Sequence, residues 1–141
     1  MRQGPITGPV AGTAGTVAFS CAYPAVPAEL AVIRDDLRRL LNGCPAADDV
    51  ILCASELAAN ASLHSNSGKP GGVLTLRAEI RRGEYVRIEI GDRGGPWDEP
   101  GLDPERPHGL DLIAAVAAAW GIVDTAAGRT VWARLSWGPA G

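Results

Sequence analysis

The chain has 141 residues, 46% of them hydrophobic and 21% charged, with a net charge of −3 and a pI near 5.3. This is ordinary globular usage, at a length that lets one domain bury a core without staples. The acidic balance argues against broad electrostatic binding to nucleic acid or to an anionic membrane surface. Three cysteines (Cys21, Cys44 and Cys53) without C-x-x-C spacing, and only two histidines, argue against a Cys/His zinc site and suit a reducing compartment.

Residues 1–14 are rich in Gly, Pro and Thr and read as a flexible arm ahead of a single domain at 15–138. The segment from Met1 to Gly15 has no continuous apolar run, so neither a signal peptide nor a membrane anchor is expected, and the expected location is the cytoplasm. Thr16 to Cys21 reads as a short strand, followed by a loop punctuated by Pro24 and Pro27. From Ala28 a helical pattern runs through Leu30, Ile33, Leu37, Leu40 and Leu41 and stops at Asn42-Gly43. Its other face carries Arg34, Asp35, Asp36, Arg38 and Arg39, which is either a solvated face or a partner-docking face with Arg34 as its most inward charge.

A second helix begins near Ala47, with Val50, Cys53, Leu57 and Ala61 in its apolar stripe, and ends by Ser65. Glu56 and Asn60 lie four residues apart on it, stacked on one face at the edge of the stripe. They are either two polar residues at a solvent margin or a base and a metal ligand. After a polar loop the period switches to two. Leu74, Leu76, Ala78 and Ile80, then Val86, Ile88 and Ile90, alternate with polar residues around a turn at Arg82-Gly83, the pattern of a β-hairpin with one wet face.

The second of these strands runs into Gly91-Asp92-Arg93-Gly94-Gly95-Pro96-Trp97 and then a long irregular segment, expected to be a lid at about 95–107. His108-Gly109-Leu110 opens a short apolar helix that should run from Leu110 to Ala119 and close at Trp120-Gly121. Ile122 to Thr125 and Thr130 to Trp137 form a second hairpin around Ala127-Gly128-Arg129. Hairpins and segregated helices predict an α+β fold. The expected form is a two-layer sandwich of a mixed, mostly antiparallel sheet, covered on one face by three helices.

Three separated pieces then stand in order: Glu56-x-x-x-Asn60 on a helix, Asp92-x-Gly94 at a strand end, and His108-Gly109-Leu110 at a helix start. Together with Ser55-Glu56-Leu57-x-x-Asn60-Ala61, His64 and Gly128-x-Thr130-Val131-Trp132-Ala133, they resemble the ATP-binding domain of the GHKL superfamily. Within it, the chain resembles the small bacterial anti-sigma-factor serine kinases. The resemblance spans about residues 16–137 and implies the Bergerat ATP-binding fold.

It also implies roles. Asn60 would ligate Mg²⁺ through its amide oxygen, beside the phosphates of ATP. Glu56 would orient or deprotonate the attacking hydroxyl. Asp92 would accept a hydrogen bond from the adenine amino group, and Gly94 would let the backbone approach the base. The amides at His108, Gly109 and Leu110 would cradle phosphate. Thr130 falls on the adenine side, and His64 caps or packs near the helix end or, alternatively, joins the site as a ligand. The implied partners are a sigma factor and an anti-anti-sigma (STAS-type) protein, with Arg34 on the docking face, no direct contact with nucleic acid or membrane, and a homodimer.

The function expected is thus that of an ATP- and Mg²⁺-dependent regulator, a serine/threonine protein kinase that phosphorylates an anti-anti-sigma partner and sequesters a sigma factor. The chain departs from the family pattern at Pro96 and Pro107, where glycines are usual and where proline stiffens the two ends of the lid. These two residues motivate the alternative, a nucleotide-gated binding regulator without transfer. A detached histidine-kinase catalytic domain is the weaker reading, because the chain has no dimerisation helix pair and no phosphoacceptor histidine of its own.

Overall fold

A computed structural model describes residues 16–64, 72–92, 109–125 and 128–138; for 62–64 and 109–110 it describes the backbone alone. These residues form β1 (Thr16–Pro24), α1 (Glu29–Leu40), α2 (Ala47–His64), β2 (Val73–Arg81), β3 (Tyr85–Gly91), α3 (Gly109–Val116), β4 (Ala119–Thr125) and β5 (Gly128–Ser136). The arm expected at 1–14 and the lid expected at 95–107, with Pro96 and Pro107, lie outside the described residues.

The five strands make one sheet in the order β1-β2-β3-β5-β4. Every pairing among the described strands is antiparallel, which bears out the α+β sandwich expected from sequence with its mostly antiparallel sheet; no parallel pair of a mixed sheet is among them. The connections explain this. β2–β3 and β4–β5 are hairpins, and β1 reaches β2 through two helices, which carry the chain down the sheet and back up before β2 starts.

The three helices cover one face. α2 lies over the centre, chiefly on β3 and also on β2 and β5; α1 packs between α2 and β1, and α3 between α2 and β4. Alternation places Leu74, Leu76, Ala78 and Ile80 of β2, and Val86, Ile88 and Ile90 of β3, under this layer, all buried. Ile33 and Leu37 of α1, with Val50, Cys53, Leu57 and Ala61 of α2, close on them from above. Each fully buried Leu, Ile or Val contributes about 1.5–3 kcal/mol relative to exposure. Tyr23 is buried with its hydroxyl donating to Asp36 Oδ2 at 2.6 Å, which fastens β1 to α1. Burial first, and that hydrogen bond second, push the phenol far above its usual range.

One end of the sheet is pinned. At the β2–β3 turn, Arg82 donates to the Asn42 carbonyl at 2.9 Å and stacks 5.1 Å from the Trp137 ring. Trp137 N donates to the Glu84 carbonyl at 3.0 Å, and the Cys44 thiol reaches the Trp137 carbonyl at 3.8 Å. Gly43 makes the α1–α2 bend at φ +84°, a left-handed conformation that favours glycine.

The uncovered sheet face is polar and aromatic. Arg87 lies 4.9 Å from the Trp132 ring and Arg134 lies 5.9 Å from the Tyr85 ring. Tyr85 donates to Glu79 at 2.5 Å, a bond that raises its pKa.

Several boundaries differ from expectation. β1 continues past Cys21 to Pro24, because Tyr23 and Pro24 pair with Leu74 and Val73, and a proline is tolerated at the end of an edge strand. α3 stops at Val116, short of Ala119. Ala117 N makes the last helical bond, to Ile113 O, and Ala118 N turns instead to Arg134 O at 2.8 Å. Trp120-Gly121 is therefore not a helix stop but part of β4. A Cβ on Gly121 would lie 2.8 Å from Trp132 Nε1, so the glycine is there to let the indole lie flat. β5 starts at Gly128, ahead of Thr130, and ends at Ser136. On α1, Arg34 is exposed, and the most inward charge is Asp36, held by Tyr23 and by Arg39 at 2.5 Å.

Candidate functional site

α2 leaves the pinned end, where Cys44 touches Trp137, and rises over β3 for 18 residues. A helix of that length spans about 27 Å, slightly more than a seven-residue strand. Its C-terminal half therefore reaches the end of the sheet at which β3 finishes and β5 begins. Asn60, and the chain position of His64, belong to that half; the His64 side chain lies outside what is described.

Glu56 and Asn60 are both half-buried, one turn apart on the flank of the buried stripe. Asp49 shares that flank, with Cys53 beside it in the buried stripe. The Cys53 thiol is pushed up to about 11, first by burial and then by the negative charges of Asp49 and Glu56. Ser55, next to Glu56, donates back to the Ile51 carbonyl at 2.8 Å, inside its own helix.

Asp92 is the first residue beyond β3, and two contacts fix it to β5. Its N–H donates to the Arg129 carbonyl at 2.9 Å, and its Oδ1 accepts from the Arg129 N–H at 3.4 Å. Gly91 pairs with Thr130, and a Cβ on Gly91 would stand 3.5 Å from Thr130 Oγ1. Asp92, Gly91 and Thr130 thus form one patch at the strand ends.

Arg129, which from sequence reads only as a turn residue, organises that patch. Its guanidinium grips Asp124 of β4 through Nε to Oδ1 at 2.7 Å and Nη2 to Oδ2 at 3.2 Å. The Asp124 carboxyl is consequently held below its usual range, with Arg129 as the cause. Its pairing with Asp124 is local, across the β4–β5 hairpin, whereas its contact with Asp92 comes from a segment 37 residues away that no local pattern could flag.

Gly109 and Leu110 open α3, where the first N–H groups of a helix have no intrahelical partner. α3 packs against α2. Gly94 and His108 lie outside the described residues. Arg34 is not part of this group: it is on α1, which flanks α2 on the β1 side, whereas α3 flanks it on the β4 side.

A carboxylate and an amide one turn apart can supply a proton acceptor and a neutral oxygen ligand. That donor set suits Mg²⁺, which takes few protein ligands when phosphates supply the others. A strand-end carboxylate fixed by backbone contacts can accept from an exocyclic amine, and a helix start attracts phosphate. Among the described residues no group of three His, Cys, Asp or Glu side chains could hold a metal unaided, and no helix is long and apolar enough to cross a membrane.

A family model described as "Histidine kinase-like ATPase domain" matches residues 23–135. No curated protein matches by sequence. Among solved structures, the RsbU and RsbW domains of Rv1364c from Mycobacterium tuberculosis are similar with a TM-score of 0.63 at 21% identity, over 83% of this chain and 32% of that one. The histidine kinase domain of the Erythrobacter litoralis EL346 blue-light activated histidine kinase is similar with a TM-score of 0.51 at 21% identity, over 78% of this chain and 60% of that one. The chain spans less than two thirds of either structure, and the likeness is one of fold.

Proposed function

Because the chain belongs to the histidine kinase-like ATPase domain family, we propose that it binds ATP with Mg²⁺ and acts as a serine protein kinase. Its substrate is an anti-anti-sigma protein of the STAS type, and it also sequesters a sigma factor. The observation that carries the reading is the gathering of Asp92, Gly91 and Thr130 at the end of the sheet that α2 reaches with Asn60.

In this reading Asp92 accepts from the adenine amino group, with Arg129 holding its backbone and Thr130 beside it. Gly94 lets the backbone approach the base, and His64 serves as a ligand of the site. The N–H groups of His108, Gly109 and Leu110 bind phosphate. Asn60 holds Mg²⁺, which when bound neutralises charge on the phosphates. Glu56 takes the proton of the partner's serine hydroxyl as that oxygen bonds to the γ-phosphorus. The bond from the γ-phosphorus to the β–γ bridging oxygen breaks, and ADP leaves. Arg34 contributes to the exposed face of α1 that meets the partner.

The test is transfer of labelled γ-phosphate from ATP to a purified STAS-domain protein. Glu56→Gln should abolish transfer and retain ATP binding by calorimetry; full transfer by Glu56→Gln would remove the assigned role. Pro96 and Pro107 support a second reading, a nucleotide-gated regulator that captures its partner without transfer. ATP binding with no transfer in the unaltered protein would select that reading.

A further inference from the structure

The helices leave one face of the sheet open, and its charges do not cancel. Strand alternation puts Arg77, Arg81, Arg87 and Arg134 on that face with only Glu79 and Glu89 against them, although the whole chain carries −3. Both glutamates are already engaged: Glu79 accepts from Tyr85, and Glu89 is gripped by Arg87 at 2.5 Å. Arg81 takes Glu84 of the adjoining turn. Arg77 and Arg134, both exposed, are left with no carboxylate partner among the described residues, and Arg134 only lies over the Tyr85 ring.

The strand register sets these groups in a row. Arg77 stands directly across from Glu89, so Arg87 is its diagonal neighbour, and Arg134 stands directly across from Arg87. Like charges directly opposite each other weaken a ladder, and a face that only had to be wetted would set a glutamate across from Arg87. Beside the row is a trough of about 240 Å³, lined by Ala18 and Ser20 of β1, Arg77 and Glu79 of β2, and Arg87 and Glu89 of β3. Short side chains on β1 and long ones on β2 and β3 give it depth.

We propose that this face docks an extended acidic segment of a partner protein, with carboxylates along one side of that segment. Two strands across and two residues along, Arg77 and Arg134 are rooted about 12 Å apart, and side chains four residues apart on an extended chain stand about 13 Å apart on one side. Each guanidinium then receives the carboxylate that its own chain does not supply, through two parallel N–H donors. Arg87 stays with Glu89. Nucleic acid suits the face less. Glu79 and Glu89 stand among the arginines, and the guanidinium groups of Arg87 and Arg134 already lie over the Trp132 and Tyr85 rings on which bases would stack. A second copy suits it less too, because it brings the same excess of positive charge. The face lies opposite α1, α2 and α3 and stands on strand register and unpaired charge, not on the nucleotide reading.

The experiment is fluorescence anisotropy with a labelled peptide of alternating glutamate and threonine, about twelve residues long so that any register offers the pair of carboxylates. Its affinity should fall as salt is raised, and a peptide of alternating lysine and threonine should not bind. Arg77→Gln and Arg134→Gln should each weaken the acidic peptide about threefold, and together about tenfold. The melting temperature and the ATP titration should stay unchanged. In the unaltered protein, amide shifts caused by the peptide in NMR spectra should fall on β2, β3 and β5. That measurement needs no variant, so a glutamine protein that fails to fold leaves the test intact. Equal binding of the lysine peptide, undiminished binding by a folded double variant, or shifts confined to the helices overturns the proposal. Tighter binding of single-stranded oligothymidine would overturn it in favour of nucleic acid. A mass of twice 14.6 kDa in sedimentation equilibrium that the double variant loses would overturn it in favour of a second copy. Loss of ATP binding in the unaltered protein would count against the proposed function and leave this face untouched.

Discussion

The two ends of the sheet are built from different materials. At the end where β2 turns into β3, three distant parts of the chain are tied by backbone-level contacts: Arg82 to the Asn42 carbonyl, Trp137 N to the Glu84 carbonyl, and Cys44 to the Trp137 carbonyl. At the other end, β3 and β5 hold Asp92 by its own N–H and carboxylate, with Thr130 and the reach of Asn60 nearby. The first end orients α2; the second presents polar groups. A helix anchored at one terminus carries candidate site residues toward the other, which lets a site be positioned without being filled by its own scaffold.

That contrast can be broken from either side. Asp92→Ala removes a charged acceptor, worth about 1.5–3 kcal/mol, so ATP affinity by calorimetry should fall roughly tenfold to a hundredfold. The melting temperature should shift little. Arg82→Ala should do the reverse. It removes a charge-assisted bond and a cation–π contact at an exposed position, together about 1–2 kcal/mol, visible as a lower denaturant midpoint with the ATP affinity unchanged.

Gly43→Ala and Gly83→Ala refine the pinned end. Both glycines have φ near +85°, but a Cβ at residue 43 would meet Arg82 Nη2 at 3.1 Å, whereas one at residue 83 meets nothing within 4 Å. Each should cost about 1 kcal/mol from the backbone, with the larger loss at 43. A further effect is alkaline. Cys53 has its pKa raised from 9.0 to about 11, so the folded state keeps its proton where the unfolded state has lost it. Stability should be full below pH 9 and decline as pH rises toward 11, and Cys53→Ser should flatten that part of the profile in chemical denaturation series.

The sequence made the periodic parts of the fold legible. The alternation in Leu74 to Ile90 and the stripe of Val50, Cys53, Leu57 and Ala61 appear in the structure on the expected faces, since period alone decides which side chains meet a core. What failed depended on distant partners. The alanine-rich run after Ile113 favours helix locally, yet Arg134 of β5 captures Ala118 and starts a strand. Gly121 looked like punctuation because the indole that requires it comes from Trp132. At the candidate site, Glu56, Asn60 and Asp92 could be picked out by residue type and spacing. The role of Arg129 could not, because its contact with Asp92 joins segments 37 residues apart that only the folded sheet brings together.

The pairing of β1 with β2 has a consequence on the time axis. Thr16 finds Arg81, and Pro24 finds Val73, only after both α1 and α2 have intervened, whereas β2–β3 and β4–β5 close across short turns. Long-range closure is the slow kind, because the loop entropy must be met before any contact repays it. During synthesis from the N-terminus, β1 is therefore made well before its partner exists. It must wait, with its ladder hydrogen bonds unmade, until Val73 to Arg81 has emerged.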